Sequence, residues 1–412
     1  MYRLKITVIG GGPAGMMAAA AAAGEGAIVT LLEHNSYLGK KLGITGKGRC
    51  NITNAADISE FIHNIPINGK FMHSAFFAFN NQDILNLLAR FGVETKTERG
   101  GRVFPTTDKA KTVVDALKHY VRSMGVRVVF DGAADLLKED TGFCVRRKNG
   151  SAIHCDKVIV ATGGASYPQT GSDGSGYRFA KALGHTVVAP SPSLVPLTTR
   201  GNLAAKLMGL SLKNVSVKIT DENNKTVYSD FGEMLFAHYG VSGPMILSAS
   251  AHLREFDKKR YTLTVDLKPA LDSAALDKRI LRDFEAAQNK DFINSLDALL
   301  PQKMIPVIVE LSKIPPRKKV RDITRQDRLA LGFAMKNVTL EITGTRPIAE
   351  AIVTSGGVSV KEINPKTMES KLVPGLFFAG EVIDVDAYTG GFNLQIAYST
   401  GHLAGQSAGK EW

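Results

Sequence analysis

The chain is poor in the groups that would support several common chemistries. It has three cysteines, Cys50, Cys144 and Cys155, and none forms a Cys-x-x-Cys pair, which excludes a dithiol relay of the disulfide-reductase kind. No His/Cys cluster has zinc spacing, so the sequence predicts no metal. An odd, small number of cysteines fits a reducing compartment. No apolar run reaches the length of a membrane span. Arg3 and Lys5 before an apolar stretch imitate a signal peptide, but Gly10-Gly11-Gly12-Pro13 breaks that stretch, and a cytoplasmic location is expected. Internal repeats are absent, and the only biased tract is a run of alanines near the N-terminus.

What is present begins at the first strand. Ile6-Thr7-Val8-Ile9 runs into Gly10-Gly11-Gly12-Pro13-Ala14-Gly15, followed by an alanine-rich helix and a second apolar run, Ala27–Leu32, that ends at Glu33. This order is a dinucleotide grip. Gly10 allows the tight turn, Gly12 keeps side chains away from a pyrophosphate, and Gly15 lets the helix pack close to the sheet. The helix N-terminus faces the diphosphate. Glu33 can accept hydrogen bonds from both hydroxyls of an adenosine ribose and would repel a 2′-phosphate.

The 412 residues, 44% hydrophobic and 22% charged, describe a globular protein of two or three domains. Up to about residue 190, strand candidates at 5–9, 27–32, 126–130 and 157–161 alternate with helix candidates at 14–24, 81–91, 109–123 and 175–183, which predicts a doubly wound α/β domain. Asp108 is the expected cap of the 109–123 helix. After Pro190, Pro192 and Pro196 the texture turns to short strands, then to amphipathic helices over 272–312 and 320–336. Nucleotide-fold texture returns near Gly375. The predicted organisation is a discontinuous Rossmann-like domain, 1–193 with 355–412. Into it are inserted a β-barrel-like domain, 194–270 with 335–354, and a small helical domain, 271–334.

The formal charge is +12 and the pI about 9.4. The densest basic run, Arg317-Lys318-Lys319 with Arg321, Arg325 and Arg328, reads as a solvated helix start. No aromatics interleave with it, so a small-molecule substrate is expected rather than a nucleic acid. Part of the excess would neutralise a diphosphate.

Three later segments choose the dinucleotide. Val158–Ala161 ends in Thr162-Gly163, as where the chain crosses near the cofactor in two-dinucleotide flavoproteins. Leu376–Gly380, Glu381 and Asp384, then Gly390-Gly391-Phe392-Asn393-Leu394-Gln395, resemble a C-terminal flavin signature. There an acid binds a ribityl hydroxyl and a helix start stabilises charge on reduced flavin. The loop Leu38–Asn54 combines glycines with Lys40, Lys41, Lys47 and Arg49, which suits a cover over diphosphate and flavin edge. A second GxGxxG is missing: Gly171–Gly176 has the wrong spacing, so a nicotinamide donor, NAD(P)H, would dock transiently. Gly240-Val241-Ser242-Gly243-Pro244 imitates a nucleophile elbow, but Ser242 reads as an N-cap with Pro244 in the first turn. His238 and Tyr239 are the candidate proton donors, the alternative for His238 being a hydrogen-bonded structural residue.

Together with Arg102-Val103-Phe104-Pro105, Leu235–Pro244 and Thr354–Val358, these motifs resemble the BaiN-like bacterial flavoproteins along almost the whole chain. That family includes proteins named aminoacetone oxidase and 3-dehydro-bile-acid Δ4,6-reductase. The resemblance implies FAD, held by Gly10, Gly12, Ala14 and Gly15 at the diphosphate and by Glu33 at the adenine ribose. Lys41, Arg49 and Asn51 would lie near diphosphate or flavin, and Ala134 near adenine with Thr162 and Gly163 close by. Glu381, next to Gly380, or Asp384 would hold ribityl or diphosphate, and Gly391, Asn393, Leu394 and Gln395 the flavin end. The expected activity is NAD(P)H-dependent reduction of a conjugated C=C in a 3-oxo steroid or bile acid. The rivals are an O2-using amine oxidase and a tRNA-modifying flavoprotein. Oligomeric state is not legible in the sequence.

Overall fold

Short apolar strands joined through helices bury both faces only as a covered parallel sheet. In the computed structural model, which describes residues 2–410, five strands form such a sheet. Their order in space is Leu376–Phe378, Lys157–Val160, Lys5–Ile9, Ile28–Glu33, Arg127–Phe130, all parallel. The register sets Val8 between Ile159 and Leu31, and all three are fully buried. The last strand of the chain thus joins a sheet begun by the first.

The N-terminal helix, Pro13–Gly24, packs along the C-terminal helix, Phe392–Gly409. Gly401 faces Ala14 and Gly405 faces Ala18 so closely that a Cβ on either glycine would overlap the opposing carbonyl oxygen, and Gly409 presses in the same way towards Ala22. The pairs ascend together, so the two helices run parallel. The alanine run therefore has a packing reason: larger side chains would force the two backbones apart. The antiparallel sheet Ala133–Lys138, Phe143–Arg147, Ala152–Cys155 adds Leu136, Phe143 and Val145 to the same core.

The chain divides into two units, one running to Ser193 and resuming at Pro347, the other Leu194–Arg346. Residues 347–354 lie in the first unit, where Val353–Val358 pairs with Val187–Ser193. The second unit is a closed antiparallel barrel with strands in the order Leu197–Thr199, Gly240–Ser242, Thr226–Ala237, Ser211–Thr220, Tyr261–Asp266, Val338–Thr345. The helices Ser273–Glu285, Ile305–Ser312 and Arg325–Lys336 share its core: Leu276, Ile280 and Leu331 cluster with Leu263 and Leu340. Barrel and helices are one unit rather than two. No helix among the described residues is long and apolar enough to cross a membrane.

Two local expectations fail. Asp108 does not cap the helix Ala110–Ser123, whose N-cap is Lys109. Asp108 instead adopts a left-handed backbone (φ 53°) and points its carboxylate at Lys96 and Arg49. Two cations outbid the backbone N–H groups for this acceptor. Ser242 ends a barrel strand, and Gly243 (φ 98°) is the N-cap before Pro244.

Two helical glycines test the packing claim. Gly405→Ala should lower stability by about 1–3 kcal/mol, because the new Cβ meets backbone that must move. Gly332→Ala, in Arg325–Lys336 with its nearest neighbour at 3.7 Å, should instead be neutral or raise stability by up to about 1 kcal/mol. Thermal melts of the two variants check this, and equal losses would refute it.

Candidate cofactor site

The first unit builds its site at the carboxyl ends of the parallel strands. The turn after Lys5–Ile9 is held by Gly10 N–H donating to the Leu32 carbonyl at 2.8 Å and by Ala161 N–H donating to the Ile9 carbonyl at 2.9 Å. Gly10 has φ 109° and lies against the Ala161 carbonyl and Thr162, where no side chain fits. Gly15 abuts the Gly10 carbonyl equally closely, and Gly380 abuts Ala14. The structure thus brings Gly10, Ala14, Gly15, Thr162 and Gly380 to one point.

Gly12 is the N-cap of Pro13–Gly24, with no side-chain cap, no acid in the first turn and no atom within 4 Å of where its Cβ would be. An uncapped helix start beside open space is a cradle for a phosphate. Glu33 is 7% exposed at the tip of the second strand. Its carboxylate accepts from Gly11 N at 2.8 Å, and from Asn35 N and Asn35 Nδ2 at 2.7 Å each. These bonds orient it and leave acceptor capacity on Oε2 for a ribose hydroxyl.

The Leu38–Asn54 loop splits in its duties. Lys41 Nζ donates to Ser166 Oγ at 2.7 Å and pairs with Glu381 at 2.8 Å, both side chains half-buried. Glu381 also accepts from Thr354 N at 2.8 Å and Ser166 Oγ at 3.0 Å. The carboxylate therefore ties together four distant segments. Asp384, the other candidate acid, is buried and accepts from Asn68 and the Gly356 backbone, with no cation among these partners. Burial pushes its pKa up, against the hydrogen bond from Asn68 Nδ2 at 3.0 Å. Arg49 is held by Glu98 and Asp108 and stacks on Phe104 at 4.2 Å, so its charge is neutralised within its own neighbourhood. Asn51 Oδ1 is buried with no hydrogen-bond partner. Such an orphan costs about 1–3 kcal/mol, a cost that a ligand donor would remove.

The C-terminal helix starts at Gly391 (φ 103°), wedged against the Thr53 backbone. Asn393 does not reach outward: its amide bonds Ala387 N and O at 2.9 and 2.7 Å and Tyr388 O at 3.2 Å, shaping the approach to the helix. Gln395 is fully buried, accepting from Thr53 Oγ1 at 2.8 Å and donating to Phe79 O and Ser399 Oγ. Leu394 packs on the core. These three side chains thus support the helix start, whose backbone N–H groups form its outward face. Ala134 sits near the start of Ala133–Lys138 with its carbonyl bonded to Arg178 Nη2 at 3.0 Å, and Gly163 (φ 75°) turns against Ser172.

The spacing of the two helix starts is informative. Gly401 lies opposite Ala14, and the C-terminal helix begins nine residues earlier, at Phe392. Its N-terminus therefore projects eight residues, about 12 Å, beyond that of its partner, which starts one residue before Ala14 at Pro13. One uncapped start and a second one offset from it suit a diphosphate joined through a polyol to an extended ring. The residues present therefore fit FAD.

His238 and Tyr239 lie in the second unit. They form the two-residue turn between Thr226–Ala237 and Gly240–Ser242, with Ala237 paired to Gly240. His238 is exposed and meets the Tyr239 ring edge-on at 4.8 Å. The Arg346 guanidinium lies 4.7 Å from the Tyr239 ring.

Ser166, Asn35 and Asn68 are not among the residues the sequence singles out, and Thr354 enters only as the first residue of the Thr354–Val358 motif. Asn35 carries a local signal, an Asx residue two positions after the acid it serves. Ser166 carries none, and the motif does not show that Thr354 bonds it, because the two meet only across 188 residues of chain.

Comparison with known proteins agrees with this architecture. The sequence is 33% identical over 410 residues, 98% of both chains, to a 3-dehydro-bile acid Δ(4,6)-reductase of Clostridium scindens. It is 31% identical over 410 residues, again 98% of both, to a ribosomal RNA dihydrouridine synthase of Escherichia coli. Among solved structures, the 3-ketosteroid-Δ4-(5α)-dehydrogenase of Rhodococcus jostii RHA1 shares the fold with TM-score 0.53 and 17% identity over 100% of this chain and 97% of that one. The 3-ketosteroid Δ1-dehydrogenase of Sterolibacterium denitrificans does so with TM-score 0.52 and 12% identity over 99% and 100%. The family model described as the HI0933-like protein Rossmann domain matches residues 4–407, and the chain belongs to that family, the flavoproteins that the motifs at its two ends resemble.

Proposed function

We propose that this chain is an FAD-dependent reductase that saturates a C=C bond conjugated to a carbonyl, with NAD(P)H as transient electron donor. The supporting observation is the pair of offset helix starts, at Gly12 and Gly391, held in one unit with Glu33 beyond the first of them. When bound, FAD supplies hydride exchange at N5, from the nicotinamide and to the electron-poor β-carbon of the substrate. The chain's own residues bind and orient. Gly12 and the first turn after it hold the diphosphate, and Glu33 the adenosine ribose. Asn51 offers its buried oxygen to a ligand donor, and the N–H groups at the start of Phe392–Gly409 favour negative charge. Tyr239, with His238 beside it, is the proposed proton donor to substrate.

The two named relatives favour this reaction class. One is named a bile-acid Δ(4,6)-reductase and the other a ribosomal RNA dihydrouridine synthase, different molecules, yet both names describe the reduction of a C=C bond. The first substrate reading is the enone of a 3-oxo steroid or bile acid. A second reading, a uracil ring within RNA, is favoured by charge: Leu194–Arg346 holds 24 Lys and Arg against 17 Asp and Glu.

Anaerobic photometry tests the reaction. Bleaching of the flavin by NADH or NADPH, followed by reoxidation on adding a 3-oxo-Δ4 steroid or a uridine-containing RNA, is the expected result, and whichever acceptor works assigns the substrate. Reoxidation by air alone, with turnover of aminoacetone and of neither acceptor, would overturn it. Glu33→Ala should weaken FAD binding about 10–100-fold, read by fluorescence on reconstituting apoprotein, because a charge-assisted contact is lost. Tyr239→Phe should lower kcat about 10²-fold or more while leaving flavin reduction by NAD(P)H unchanged. Stopped-flow separation of the two half-reactions checks this.

A further inference from the structure

We propose that the antiparallel sheet of the first unit carries a site for a borderline-soft divalent cation, Zn2+ foremost, formed by Glu139, Cys144 and His154. The strands Phe143–Arg147 and Ala152–Cys155 pair Cys144 directly with His154, and Ala133–Lys138 pairs Leu137 with Cys144, so Leu137, Cys144 and His154 share one face and Glu139 comes two residues after Leu137. Glu139 follows the first strand and is turned back by its N–H bond to the Gly142 carbonyl at 3.1 Å. One donor atom from each of Glu139, Cys144 and His154 lies within 4.8 Å of the other two.

The donor set selects the ion. A thiolate, an imidazole and a carboxylate favour Zn2+ or Co2+, whereas Mg2+ and Ca2+ need oxygen ligands. Zn–S of about 2.3 Å and Zn–N of about 2.0 Å put tetrahedral ligand atoms roughly 3.3–3.6 Å apart. The groups need to close by about 1 Å, and the side chains able to do so are the exposed ones, His154 at 66% and Glu139 at 39%. Cys144 is buried, free of any disulfide and fixed in the sheet. His154 Nδ1 and Glu139 Oε2 are already 2.9 Å apart, so most of the ordering is done before a metal arrives. Binding exchanges that hydrogen bond for two metal bonds, releases the thiol proton to solvent and leaves a fourth, solvent-facing position for water. The site would cross-link the 139–142 turn to the third strand.

The test is titration of the untagged, flavin-loaded protein with Co2+ alone. Expected is a 1:1 complex with the visible d–d absorption of tetrahedral Co2+, to the red of the oxidised flavin bands. A thiolate charge-transfer band should accompany it, Zn2+ should displace both, and Zn2+ should raise Tm. His154→Ala, at an exposed position that cannot disturb the core, should weaken binding at least 10-fold, as should Cys144→Ser, with flavin content unchanged in both. Absence of saturable 1:1 binding overturns the proposal. So does a spectrum without the thiolate band, or binding that survives either substitution.

Discussion

Everything in the first unit depends on how closely the two end helices approach. Gly401, Gly405 and Gly409 recur at four-residue spacing and meet Ala14, Ala18 and Ala22 backbone to backbone. No other residue types would allow that separation, since the space of a single methyl is already taken by a carbonyl oxygen. The approach sets the offset between the two helix starts, and with it the length of ligand that can touch both. It also explains two sequence peculiarities as one: a helix of alanine at one end of the chain and a helix threaded with glycine at the other.

Around that contact, polar groups do the positioning. Glu33 is anchored by Gly11 and Asn35 before any ribose arrives, and Glu381 joins Lys41, Ser166 and Thr354. A half-buried carboxylate with one cation and two further donors is satisfied, and it locks those segments together. Asn51 is the opposite case, an acceptor left without a donor inside a loop that is otherwise well bonded. Arg49, Asn393 and Gln395 have the side-chain chemistry of ligand contacts, and each is engaged by protein partners in this structure.

The second unit follows different rules. Its strands close into a barrel, which removes exposed edges, and its helices complete the same apolar core instead of forming a body of their own. The pattern of alternating strands was readable from 194 onwards, but the sharing of one core by barrel and helices was not. Amphipathic periodicity says that a helix has an apolar face without saying what covers it. The same limit applies to Asp108, whose capping role was overridden by Lys96 and Arg49, neither adjacent in sequence.

What the sequence determined by itself was local and periodic: the parallel strands with their helices, the glycine turn at residues 10–15, the acid at the next strand's end and the glycine-led terminal helix. Those follow from backbone sterics and burial over a few residues, which any stretch of chain carries with it. The tertiary structure alone decided which side chains face the site and which face each other. It paired Lys41 with Glu381, buried Gln395, put His238 on an exposed turn and set Cys144 beside His154. Those pairings depend on register and on contacts between residues far apart in the chain, and charge or hydrogen-bonding capacity alone does not name the partner.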